Sequence, residues 1–340
     1  MYLTNISSRL VSLVFKKKIY TSCIIMETKP DEIRGVIQMA RPNLRLSSIT
    51  QYEANLKKIR RLADSETYDF LKKPKEVEGL MKDLHYTTQR NILNAIIVFL
   101  LAIDKEHEME DIIKAYSDTR DALNERYVEE NKSGVISDKQ KPNFASVSEI
   151  DEMLGKLKDE VAPFKKKDRL TQKEISQLRA YVIFSMLQKL PPTRNDMAGM
   201  KVINQSTYKK LTQEDKETRN YLVNQPKNMR FVYNVYKTSA HYGENIVEVP
   251  DDLKPILRMY MRLMGIKNGD VMFEMTRNAV SQLLTKQSQR LIGKKISSTM
   301  MRKIYLSSKY ADVNKEKEKD AKGMMHAQVT ADLIYAKKTS

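Results

Sequence analysis

Residues 229–250, MRFVYNVYKTSAHYGENIVEVP, break the pattern of the chain on either side of them. Elsewhere apolar residues recur at steps of three and four. Here they alternate, with Phe231, Tyr233 and Val235 on one face and Ile246 to Val249 as a returning strand. The intervening residues 239–244, Ser-Ala-His-Tyr-Gly-Glu, supply the glycine that a reversal needs. The stretch predicts a β-hairpin set into a helical chain, so the fold class is mainly α with a small β-hairpin or sheet.

Working outward, Leu170-Thr-Gln-Lys-Glu opens a helix that runs to Leu190 and breaks at Pro191-Pro192. A periodic region begins near Ser146, and helices resume after the hairpin at 251–266, 276–291 and 297–310. The charged run 314–320 reads as structureless and precedes a last short helix ending at Tyr335. Upstream, Ile49, Tyr52, Leu56, Ile59 and Leu62 mark a helix with Lys57, Lys58, Arg60 and Arg61 between them. Shorter helices follow at 67–71 and 75–84. Then comes 87–103, apolar on most faces and hence buried, and a charged helix at 109–127. The predicted division is a basic tail at 1–45, a helical domain at 46–130, a linker at 131–145 and a larger domain at 146–340.

Composition narrows the function. The 340 residues include 60 Lys+Arg against 43 Asp+Glu, a net charge of +17 that argues for a polyanionic partner, most simply nucleic acid. A lone cysteine, Cys23, excludes an internal disulfide framework, and the four histidines are too scattered to form a zinc site. No GxxxxGK[ST] or GxGxxG loop is present, so neither a metal nor a nucleotide cofactor is expected. The apolar run 96–103 is far shorter than the roughly 18 residues a bilayer span requires, and no membrane association is expected. Residues 1–25 contain no acid and carry Arg9 and Lys16 to Lys18. They fit a transit peptide, a basic DNA-contacting arm, or a stretch upstream of a start at Met26.

The larger domain offers, in order, Arg194 in Pro-Pro-Thr-Arg-Asn-Asp, Lys237 near the hairpin tip, Thr299-Met-Met-Arg302, His326 in Gly-Met-Met-His-Ala, and Tyr335. This order and spacing resemble the tyrosine recombinase (phage integrase) family, whose sites use Arg, Lys, His-x-x-Arg, His or Trp, and Tyr. The resemblance covers both halves of the chain. Residues 46–130 look like the family's core-binding domain, and 146–340 like its α+β catalytic domain. Residues 191–196 and 236–243 look most like recombinases of large eukaryotic DNA viruses and their mobile elements. Thr299 departs from the family, standing where His or Lys is usual. Lys303 replaces the histidine that commonly follows the second arginine.

The resemblance implies a site-specific DNA recombinase or integrase that closes as a clamp on double-stranded DNA and assembles as a tetramer on two paired sites. Arg194, Arg302, Lys237, Thr299 and His326 would form the phosphate site, with Tyr335 as nucleophile. Lys57, Lys58, Arg60 and Arg61 would meet the DNA backbone. The residue types suit that chemistry on physical grounds. Two arginines hold the non-bridging oxygens of a pentacoordinate phosphate with charge-assisted bonds. A phenol of pKa near 10 needs a cationic setting to attack. A lysine can protonate the leaving oxygen. Two other readings use the same residues: a type IB topoisomerase-like enzyme working without synapsis, and a catalytically inactive DNA-binding protein in which Thr299 marks decay. The sequence assigns no compartment beyond that of the DNA itself.

Overall fold

The computed structural model describes residues 32–104, 107–132, 136–138 and 140–323, and the chain divides into two units, Met1–Val135 and Ile136–Ser340. The first unit contains helices α1 (Ile33–Ala40), α2 (Leu46–Leu62), α3 (Pro74–Met81), α4 (Tyr86–Ile103) and α5 (Glu110–Lys132). Pro74 sits in the first turn of α3, where its missing N–H costs nothing. The Asp104 carboxylate accepts from the backbone N–H groups of Glu108 and Met109 at the start of α5.

Helix α4 organises this unit. It is the one described helix long and apolar enough to cross a bilayer, yet α1, α2 and α5 pack around it. Ile92, Leu93, Ile96, Phe99 and Leu100 lie fully buried in the core they share. Residues 33–40 correct the expectation of a tail through residue 45. Ile33 and Ile37, one helical turn apart, are fully buried against that same core. Eight residues are too few for their periodicity to stand out in a sequence.

The second unit begins earlier than residue 146. Ala145 is in its core, and Lys294 and Lys295 bond to Phe144 and Asn143, so the linker is shorter than 131–145. Helices α6 (Val147–Val161) and α7 (Gln172–Lys189) each start with a capping box, Ser146 with Glu149 and Thr171 with Glu174. Helix α7 is buried on most faces, with α6, α11 (Lys254–Leu263), α12 (Arg277–Ile292) and α13 (Ser298–Lys309) around it.

A four-stranded sheet lies beside this bundle in the order β1 (Lys201–Ile203), β2 (Tyr221–Val223), β3 (Arg230–Tyr233), β4 (Asn245–Glu248). The first pair is parallel and the other two are antiparallel. Short helices α8 (Gln205–Lys210) and α9 (Gln213–Thr218) connect β1 to β2, and α10 (Ser239–Tyr242) lies between β3 and β4. Val202, Leu222 and Phe231 face the helical core, while Ile203, Val223 and Val232 pack with Tyr208 on the other side. Burial of both faces explains why β1 and β2 carry no alternation to read. Val235 is not on the Phe231 face of β3, because the strand ends at Tyr233.

The charged run 314–320 corrects a second expectation. It lies within α14 (Ala311–Gly323), whose Lys, Glu and Ala residues are good helix formers. The last short helix predicted to end at Tyr335 falls outside the described residues.

If residues 33–40 are structural, Ile33→Ala and Ile37→Ala should each destabilise the first unit by about 2–5 kcal/mol. Urea unfolding followed by circular dichroism measures this. A tail would leave the midpoint unchanged.

Candidate active site

Helix α7 ends at Lys189, and Leu190 is extended because the residue before a proline is pushed out of the helical region. Pro191-Pro192 then directs the chain into a tight turn that carries Arg194 outward, exposed, while Asn195, Asp196 and Met197 are buried. Gly199 closes the turn at φ +72, a conformation that disfavours any side chain. The Asn195 amide donates to the Arg277 carbonyl at 2.8 Å and to Ser281 Oγ at 2.7 Å, fixing the turn to the start of α12.

Arg302 reaches the same place from α13. Ser297 caps that helix by accepting from the Met300 N–H, and Met300, Met301 and Ile304 anchor its inner face. Thr299 and Arg302 therefore point outward on successive turns. The Arg302 guanidinium donates to Thr299 Oγ1 at 2.9 Å. Its pKa is pulled down by burial first and then by the Arg194 charge, with the Asp196 carboxylate opposing both. Two arginines far apart in sequence thus lie within electrostatic reach of one another, and Arg302 within reach of one buried acid.

The Asp196 side chain is 6% exposed and pairs with Arg277 at 3.0 Å. Beneath the turn, burial pushes the Tyr233 phenol well above its usual range. The resulting surface holds more cationic charge than its single carboxylate neutralises, an arrangement suited to a tetrahedral oxyanion such as a phosphodiester.

Lys237 is exposed in the connection after β3. That connection is stapled by the Tyr236 hydroxyl donating to the Gly243 carbonyl at 2.8 Å and by Ser239 Oγ donating to the Tyr236 carbonyl at 3.0 Å. Its base is held by Asn220, whose side chain bonds the backbone of Asn234 and Val235 and also the Asp196 carbonyl. Asp196, Asn220 and Arg277 were not singled out from the sequence. Each acts through partners remote in the chain, and the sole local hint was the Arg-Asn-Asp run itself. His326 and Tyr335 lie outside the described residues.

In the first unit, the four basic residues of α2 are not equivalent. Lys57 Nζ pairs with Glu53 at 2.8 Å, and Arg60 donates to the Glu66 carbonyl at 3.0 Å with its Nε buried. Arg61 Nε donates to the Lys57 carbonyl at 3.3 Å on an exposed turn, and Lys58 is half-buried. Arg60 therefore holds the loop after α2 in addition to carrying charge.

Among the described residues, no three His, Cys, Asp or Glu side chains are grouped to hold a metal ion. Comparison with known proteins found no matching family model, curated protein or solved structure.

Arg277→Met should strand the Asp196 carboxylate and cost about 1–3 kcal/mol. Adding Asp196→Asn should recover part of that loss in a double-mutant cycle read by denaturant midpoints. Strict additivity of the two changes would show that the pair is energetically idle.

Proposed function

We propose that this chain is a tyrosine recombinase, cleaving and rejoining DNA strands through a covalent 3′-phosphotyrosyl intermediate. The observation that carries the reading is the convergence of Arg194 and Arg302, each from a separate element, beside the buried Asp196. The high net positive charge and the exposure of Lys237 on a stapled connection support it.

The chemistry follows from these groups. Arg194 and Arg302 hold the two non-bridging oxygens, with the Thr299 hydroxyl orienting the second guanidinium. The Tyr335 phenolic oxygen attacks phosphorus and its proton passes to solvent. The P–O5′ bond breaks as the Lys237 ammonium gives its proton to the leaving oxygen. The products are a 3′-phosphotyrosine and a free 5′-hydroxyl, and the reverse steps rejoin the strand, either with its old partner or with a new one. His326 donates a further hydrogen bond to the phosphate. No step draws on a cofactor. A tetramer on two paired DNA sites would separate this enzyme from a type IB topoisomerase, which needs no synapsis.

One observation favours the inactive DNA-binding alternative. The Thr299 hydroxyl already accepts from Arg302 and is no base, so the position that usually carries an imidazole or amine is chemically quiet.

The test is trapping. The protein is incubated in EDTA with nicked duplexes drawn from its source genome and run on denaturing gels. A protease-sensitive adduct should form, vanish in Tyr335→Phe, and form about 100–1,000-fold more slowly in Arg302→Ala. Tight, salt-sensitive binding of the same duplexes without any adduct would assign the inactive alternative.

A further inference from the structure

Resting on the tyrosyl-transfer reading above, we propose that Asn220 is a positioning residue that locks the Lys237 connection to the Arg194 turn. The proton donor and the phosphate clamp then meet the scissile phosphate as one body. Asn220 is 7% exposed and immediately precedes β2. Its amide nitrogen donates to the Asp196 carbonyl at 2.8 Å and to the Val235 carbonyl at 3.0 Å. Its amide oxygen accepts from the N–H groups of Asn234 at 2.9 Å and Val235 at 2.7 Å. All four hydrogen-bonding positions of the side chain are filled.

The two ends of this bridge are informative. Asp196 lies two residues after Arg194, and Val235 lies two residues before Lys237. At 3.8 Å between successive Cα atoms, each functional residue is within roughly 8 Å of chain from an anchor on the same amide. Arg277 spans the same two segments, pairing with the Asp196 carboxylate at 3.0 Å and reaching the Val235 carbonyl at 3.5 Å.

The anchors are unequal in a way that predicts a phenotype. The Arg194 turn has further holds, from Asn195 to α12 and from the Gly199 N–H to the Phe273 carbonyl. Both backbone N–H groups entering the Lys237 connection, those of Asn234 and Val235, end on Asn220, and the connection's other tethers are the Asn234 side chain on the Arg219 carbonyl at 3.0 Å and the long 3.5 Å contact from Arg277. Asn220 makes three of its four bonds to the Lys237 connection and one to the Arg194 turn, so loss of the amide should loosen Lys237 more than Arg194, and impair proton delivery more than phosphate binding. Asparagine suits the post because two donors and a two-site acceptor sit on one short arm. Aspartate would turn a carboxylate toward two carbonyl oxygens.

The distinguishing experiment compares two nicked duplexes in single-turnover cleavage. One has a normal phosphodiester; the other has sulfur in place of the bridging 5′ oxygen, so that a thiolate leaves without needing a proton. Asn220→Ala and Asn220→Asp, each assayed below its own melting midpoint, should cleave the oxygen substrate about 100-fold more slowly than wild type, in the range expected for a lost general acid. Both should cleave the sulfur substrate within a few-fold of wild type, and Lys237→Ala should show the same selectivity. Equal slowing of the two substrates in both variants, or no slowing of either, would overturn the positioning role while leaving the tyrosyl-transfer reading intact. Wild-type protein that cleaves neither substrate would overturn both.

Discussion

The second unit turns on one electrostatic constraint, a carboxylate buried within a cluster of guanidinium groups. Asp196 is almost wholly out of water, a position an acid tolerates only when paired. Arg277 supplies the direct partner, and Arg302 feels the same carboxylate through space. The Arg194 charge acts on Arg302 as a like charge, and the Asp196 carboxylate opposes that repulsion. With it, the cluster keeps a surplus of positive charge aimed outward. That surplus distinguishes the cluster from an ordinary buried ion pair, and on the proposed reading it is what a phosphate would meet.

Around this cluster the fold supplies rigidity from apolar packing. Helix α7 is enclosed by four helices, so the Pro191-Pro192 break occurs at a fixed point and the turn it starts has a fixed direction. Helix α13 is held by Met300, Met301 and Ile304, which leaves Thr299 and Arg302 little choice of face. The sheet, buried on both sides, brings the Lys237 connection to the same neighbourhood through Asn220. Three independent elements thus reach one place, each for its own packing reason.

Much of this architecture was legible in the sequence, and what escaped notice did so for physical reasons. The periodic region from Ser146, the Leu170-Thr-Gln-Lys-Glu opening and the run 87–103, apolar on most faces, are local signals, and helices lie there at Val147–Val161, Gln172–Lys189 and Tyr86–Ile103. Helix α1 and strands β1 and β2 are too short for a period to emerge, and both faces of β2 are buried. The charged run before Gly323 lacks an apolar stripe, yet its intrinsic propensity suffices to continue the helix. In the candidate site, Arg194, Lys237 and Arg302 stood out by order and spacing. Asn220 and Arg277 could not, because their significance lies wholly in contacts made across the fold. The same holds for Arg60, which looks like one basic residue among four and proves to hold a loop.

Direct identification of the covalent linkage tests the central claim most sharply. The protein–DNA adduct would be digested with protease and nuclease and the surviving nucleotidyl peptide sequenced by mass spectrometry. The account predicts a 3′-phosphonucleotide on the oxygen of Tyr335 and a free 5′-hydroxyl on the released strand. A nucleotide on any other side chain, or one joined through its 5′ phosphate, would contradict it.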